Sequence, residues 1–247
     1  MSLHLASFFA AATALATPVI SQAQSTAAIH LDCGEDQTVD EYGTGVLTAA
    51  DCASPNGNAG ASAHNKTMAT RAWANTPGGL IGGGAISRVV NADYLVLKGA
   101  PDGGTTKVRF EWTLKGATSQ NGSILDVVFQ AGVPPADSCG ANDAGFLLLP
   151  EPVNVNQALV AFTHQSGQGK APRSGSVELD VYGNNAVVPV LGCVQAIAST
   201  TVAPDGVTWL PASTDYTFTV KMTLPPGISC RSRSGVAFQG LCKRIKA

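Results

Sequence analysis

The sequence is poor in charge and in aromatic residues. Charged residues make up 13% of its 247 positions and aromatic residues 6%, whereas 45% of the residues are hydrophobic. Coiled coils and charged disordered tails both need far more charge, so both classes are excluded. The 15 basic and 17 acidic residues nearly balance, and this gives no overall basic character that would favour binding to nucleic acid. The composition predicts a packed globular domain.

The sequence also lacks the common motifs of catalysis and metal binding. It contains no G-x-S-x-G, no phosphate-binding loop that ends in Lys-Ser/Thr, and no C-x-x-C pair. Its four histidines do not cluster with the cysteines. We therefore predict no metal site and no other cofactor, and we favour a non-catalytic role over an enzyme.

Residues 1–23 form an uncharged, largely apolar run that ends in the small-x-small triplet Ser21-Gln22-Ala23. This is the pattern of a secretory signal peptide cleaved after Ala23. A retained anchor is the alternative, but Pro18 interrupts the apolar stretch, which is shorter than the roughly 20 residues of a spanning helix. We predict a secreted, extracellular protein with no membrane span in the mature chain.

All six cysteines follow the predicted cleavage site, and their even number suits an oxidising compartment. We expect disulfides at each of them, although six cysteines allow about 15 pairing schemes. The scheme that joins sequence neighbours pairs Cys33 with Cys52, Cys139 with Cys193, and Cys230 with Cys242.

Apolar residues alternate with polar ones in several segments after residue 87. In residues 107–114, Val108, Phe110, Trp112 and Leu114 share one phase, and residues 176–182 and 215–224 show the same period. This period is typical of half-buried antiparallel strands. With Gly- and Pro-containing turns between such segments, the sequence predicts an all-β single antiparallel β-sandwich, with a closed β-barrel as the alternative.

The first quarter of the mature chain has a different composition. Residues 24–87 are rich in Ala, Gly, Asn and Thr, and contain Gly82-Gly83-Gly84 as a breaker signal. We predict a loop-rich N-terminal segment over residues 24–87, within which residues 46–53 could form a short helix. The β-sandwich core is predicted over residues 88–247, as part of the same domain.

Candidate ligand-binding residues are aromatic or planar and cationic, because such groups suit sugar and anion recognition. They are Trp73, Trp209, Arg231 and Arg233. Residues 32–51 carry only acidic charges and residues 221–247 only basic ones. The basic end could bind an anionic surface polymer, or the two ends could pair with each other.

Candidate catalytic residues are few. His164 lies close to Ser166, and Glu178 and Asp180 share one phase of a predicted strand, about 7 Å apart. A pair of carboxyl groups at this spacing could act on a glycosidic bond, but any polar strand face produces such pairs.

The favoured interpretation is a secreted, disulfide-stabilised β-sandwich that binds a glycan or surface polymer, or contributes to a cell-surface layer. An extracellular hydrolase with a site assembled from distant loops is one alternative, and a self-associating structural subunit is another. The sequence indicates neither the oligomeric state nor the ligand.

Overall fold

The chain folds into two antiparallel β-sheets packed face to face. The computed structural model describes residues 26–34, 37–43, 47–64, 68–119, 121–132, 158–168 and 170–232, and these residues contain strands and no helix. The strands are Thr26–Asp32 (β1), Thr38–Gly43 (β2), Leu47–Ser54 (β3), Gly57–His64 (β4), Ala69–Thr76 (β5), Gly84–Lys98 (β6), Thr105–Thr118 (β7), Ser123–Ala131 (β8), Ala158–Gln165 (β9), Ser174–Tyr182 (β10), Ala186–Ser199 (β11), Thr201–Val202 (β12), Trp209–Leu210 (β13), Ala212–Thr223 (β14) and Ser229–Ser232 (β15).

The strands fall into two large sheets and one small hairpin. The first sheet has the order β2-β1-β6-β11-β8-β9, with β15 also paired to β6. The second has the order β10-β7-β14-β5-β4-β3, and β12 pairs with β13. Within the described ranges the two large sheets share no strand. The predicted antiparallel β-sandwich is therefore confirmed, and over the described residues the sheets are not closed into the alternative β-barrel.

The alternating segments recognised in the sequence form the centre of the second sheet. β7 buries Val108, Phe110, Trp112 and Leu114 and pairs with β14, where Phe218 lies opposite Leu114. Phe110 reaches the first sheet, with its ring centroid 5.2 Å from that of Phe129 on β8. These large side chains fill one half of the interior, and the alternate residues of the same strands face outward.

The segment 24–87, for which we expected mostly loops, contributes β1 to β5 and the start of β6. The predicted short helix is wrong over residues 47–53, which belong to the strand β3, and residue 46 lies outside the described residues. The inward positions of β4 and β5 are occupied largely by alanine, at residues 59, 61, 63, 72 and 74. Because alanine is depleted in strands and weakly hydrophobic, the alternation of these strands is hard to see in the sequence.

A disulfide joins the two sheets at the beginning of the chain. Cys33, which directly follows β1, bonds to Cys52 of β3, across a sequence separation of 19 residues. This confirms one pair of the sequence-neighbour scheme. Cys193 and Cys230 are disulfide-bonded as well. Cys139 and Cys242 lie outside the described residues, so the other two predicted pairs stay predictions.

Replacing both Cys33 and Cys52 by alanine should lower the free energy of unfolding by about 3 kcal/mol, because the cross-link restricts a loop of that length in the unfolded chain. Urea unfolding of both proteins under non-reducing conditions measures the change. A loss below about 1 kcal/mol would show that the cross-link contributes little to holding β1 against β3.

Candidate functional site

The outward side chains of β3, β4, β5 and β14 form an open polar surface, which we term the Trp73 face. These residues alternate with the buried inward residues of the same strands. The surface presents acids, amides, hydroxyls, the Arg71 guanidinium and the indole of Trp73. It also carries two basic groups farther along its strands, His64 near the end of β4 and Lys221 near the end of β14. Its charged and amide members near Trp73 are Asp51, Asn58, Arg71, Asn75 and Asp215.

Trp73 lies flat on this surface because its neighbour has no side chain. Gly60 stands directly opposite Trp73 in the β4–β5 pair. A β-carbon on Gly60 would come within 2.5 Å of Cε2 and Cζ2 of the indole. The ring therefore lies across the backbone of β4 at Gly60. Trp73 is half-buried and Gly60 buried, which leaves part of the indole accessible from outside.

Arg71 and Asp215 form a two-point ion pair beside the indole. Nε of Arg71 donates to Oδ1 of Asp215 at 3.0 Å, and Nη2 donates to Oδ2 at 2.8 Å. The hydrogen bond to Asp215 raises the pKa of Arg71, and the charge of Asp215 adds to the effect. Asp215 lies opposite Trp73 in the β5–β14 pair. The pair thus fixes two planar polar groups next to the ring.

Trp209 lies elsewhere, at one end of the sandwich. Its backbone exchanges hydrogen bonds with Gly79, at 2.9 and 2.7 Å, and its indole packs against Gly82. The turn before it is held by Asp205. The side-chain hydrogen bond from Thr208 lowers the pKa of Asp205, and the backbone N–H groups of Thr208 and Val207 add to this effect. Trp209 thus braces the β12–β13 hairpin against the loop that precedes β6.

A cavity of about 420 Å³ opens at the same end of the sandwich. Its wall includes Asp32, Asn56, Ile197 and the glycine run from Gly82 to Gly84. Asp32 is the charged residue of this lining, and its carboxylate accepts a long 3.4 Å hydrogen bond from the N–H of Gly34. The cavity is separate from the Trp73 face, because its lining comes from β1, the start of β6, the end of β11 and the β3–β4 turn.

The candidate binding residues do not meet at one place. Arg231 is exposed on β15 and lies opposite Val96 of the first sheet. Trp73 is on the outer surface of the second sheet, and Trp209 is at the end of the sandwich. Arg233 lies outside the described residues. Trp73, Trp209 and Arg231 therefore do not line one common pocket.

The candidate catalytic residues are also separated. His164 is buried in β9, opposite the core residue Leu125. Glu178 and Asp180 lie on the outer surface of β10, where Nζ of Lys107 is 3.6 Å from Oε2 of Glu178 and 3.1 Å from Oδ1 of Asp180. The hydrogen bond to Asp180 is the main cause of the raised pKa of Lys107. The two acids thus share a lysine on an exposed surface, and His164 is on the core side of the other sheet.

The described part of the chain contains neither a metal-binding cluster nor a membrane-spanning helix. No group of three or more His, Cys, Asp or Glu side chains there is arranged to hold a metal ion. None of the described residues belongs to a helix long and apolar enough to cross a membrane.

Comparison with known proteins gives no relative from which a function could be transferred. The chain matches no family model, no curated protein and no solved structure.

Trp73 is recognisable in the sequence as a candidate binding residue, but the residues around it are not. In β5, Arg71, Trp73 and Asn75 share one phase, while Thr70, Ala72, Ala74 and Thr76 share the other. This alternation could have indicated that Arg71, Trp73 and Asn75 lie on one face of a strand. The signal is weak because the inward residues are small. The contact between Arg71 and Asp215 spans a sequence separation of 144 residues, so no local sequence pattern predicts it.

Replacing Gly60 by alanine should displace the indole of Trp73, because the new methyl group would occupy the space of the ring. We expect a loss of about 1–3 kcal/mol in unfolding free energy, the range for an overpacked site. The Trp73 Nε1–H resonance should shift as well, which a ¹H–¹⁵N NMR spectrum would detect.

The matched control is Gly192→Ala, where a β-carbon would meet only Cε of Met68, at 3.6 Å. That variant should leave the Trp73 resonance in place. An unchanged Trp73 resonance in Gly60→Ala would contradict the stacking of the ring on Gly60.

Proposed function

We propose that the protein is exported to the cell exterior and there binds a glycan or other surface polymer through the Trp73 face, without catalysing a reaction. The observation that carries this proposal is the indole of Trp73 lying across Gly60 on an open polar surface. Export is supported by the signal-like residues 1–23 and by the disulfide-bonded cysteines.

The chemistry of this surface suits a sugar ring. A sugar has an apolar face of C–H groups that packs on an aromatic ring, and a rim of hydroxyls that needs planar donors and acceptors. Trp73 supplies the ring. Arg71 uses two of its five N–H groups on Asp215, which leaves donors for ligand hydroxyls.

The shape of the surface favours a chain over a single small molecule. Trp73 lies on a sheet surface made of strand backbones, and not within the cavity at the end of the sandwich. An extended polymer can lie along such a surface and contact several polar residues in succession. A small molecule needs a concave pocket that buries most of its surface, and this open surface offers none.

Trp73→Ala should weaken binding to polysaccharide by about tenfold or more, which corresponds to at least 1.4 kcal/mol for one lost aromatic contact. Retention of the full exported protein on a panel of soluble and insoluble polysaccharides, measured by affinity electrophoresis and pull-down, identifies the ligand class and compares the variants.

Trp209→Ala is the matched control, because it removes an indole of similar burial at the end of the sandwich. It should leave polysaccharide retention unchanged. Loss of retention in Trp209→Ala with no effect of Trp73→Ala would place the binding site at the end of the sandwich and contradict the proposal.

A second candidate function, a self-associating structural subunit, is favoured by an exposed apolar tip. Leu80 is 81% exposed, Ile81 70% and Val207 66%, and the loops that carry them are joined by the Gly79–Trp209 backbone bonds. Exposed apolar side chains gathered in this way are typical of interaction surfaces.

If this tip drives self-association, the protein should form larger species as its concentration rises, and the double substitution Leu80→Ser and Ile81→Ser should abolish them. Sedimentation velocity over the micromolar range measures the size distribution. A monomer at every concentration would eliminate this second candidate and leave the binding proposal intact.

A further inference from the structure

Strand pairing places four residues in one row across the Trp73 face. Asp51 of β3 lies opposite Gly60 of β4, Gly60 opposite Trp73 of β5, and Trp73 opposite Asp215 of β14. Adjacent strands are about 4.8 Å apart. Because the indole leans over Gly60, its far edge points toward β3, where Asp51 projects from the same surface. The carboxylate of Asp51 is thus the next group in the row beyond the ring.

The two acids of this row differ in their charge balance. Asp215 is neutralised by its two hydrogen bonds from Arg71. Asp51 is exposed and has no hydrogen bond or ion pair with its side chain in the described structure. Lys115 lies on β7, opposite Thr217 of β14, and is therefore on the other side of Trp73. The edge of the indole nearest Asp51 is accordingly the negatively charged end of the row.

An aromatic ring with an unpaired carboxylate next to it can together bind an ammonium group. A cation is attracted to the face of an indole, the strongest of the aromatic rings in this respect. The carboxylate can then accept charge-assisted hydrogen bonds from the same cation. A neutral sugar would gain neither contribution, and a uronic acid would be repelled by Asp51.

We propose that the Trp73 face selects a glycan that carries free amino groups, such as a polymer containing de-N-acetylated amino sugars, over neutral and acidic glycans. Asp51 is the specificity-determining residue, and Trp73 is the platform. This inference rests on the proposed glycan-binding function and names the substrate class of the same site.

The test measures dissociation constants of the full exported protein for three oligosaccharides of equal length by isothermal titration calorimetry. The ligands are a glucosamine oligomer, a glucose oligomer and a uronic acid oligomer, at a pH that keeps the amines protonated. We expect the glucosamine oligomer to bind about three- to tenfold more tightly than the glucose oligomer. This is the gain expected when an ammonium group makes an exposed cation–π contact and a hydrogen bond to a carboxylate. The uronic acid oligomer should bind most weakly.

The variant Asp51→Asn keeps the shape of the side chain and removes its charge. It should bind the glucose oligomer as the parent protein does and lose the preference for the glucosamine oligomer. Asp102→Asn, an exposed acid in the turn before β7, is the matched control and should keep the preference. Equal binding of the glucosamine and glucose oligomers by the parent protein, or a preference that survives in Asp51→Asn, would overturn the inference while leaving glycan binding in place.

Failure of the proposed function gives a different result. In that case the parent protein binds none of the three oligomers and is retained by none of the polysaccharides of the panel, or its binding is unchanged in Trp73→Ala. Either outcome would overturn both the function and the selectivity that depends on it.

Discussion

The two-residue period of the strands is the constraint on which the rest of this structure depends. In a sandwich, each strand gives every second side chain to the interior and leaves the others outside. In β5, the small residues Thr70, Ala72 and Ala74 are inside, so Arg71, Trp73 and Asn75 must face outward. Trp73 therefore faces outward because the inward positions of β5 are occupied by small residues.

The interior is filled unevenly, and this affects both surfaces. Around β7 and β14 it contains Phe110, Trp112 and Phe218. The ring centroids of Trp112 and Phe218 are 6.1 Å apart, and that of Phe110 is 5.2 Å from Phe129 of the opposite sheet. Around β4 and β5 it contains mainly alanine. The strands rich in small residues also carry Gly60, and without a side chain there the indole can lie against the sheet. The same small residues thus shape the core on one side and the candidate binding surface on the other.

The sequence predicted the part of the fold in which inward residues are large. The alternation in β7, β10 and β14 was visible because Val, Phe, Trp, Leu and Met alternate with charged and hydroxyl residues. The strands β1 to β5 were not expected, since alanine and glycine give a weak period-two signal and are also common in loops. The Cys33–Cys52 bond could be anticipated from sequence proximity, because those cysteines are neighbours along the chain.

The candidate site was only partly accessible to sequence reasoning, because it is assembled across strands that are distant in the chain. Trp73 could be named from its chemistry, whereas Asp51, Gly60 and Asp215 join it only through strand pairing. The same pairing separates His164 from Glu178 and Asp180, which the sequence alone could have placed together.

The most direct measurement is a ¹H–¹⁵N NMR titration of the protein with a glucosamine oligomer. We predict that the Trp73 indole resonance and the backbone amides of β3, β4, β5 and β14 shift together, while the β12–β13 hairpin and the first sheet stay unchanged. Shifts confined to the hairpin and Trp209, or no shift at saturating oligomer, would contradict the assignment of the Trp73 face as the binding surface.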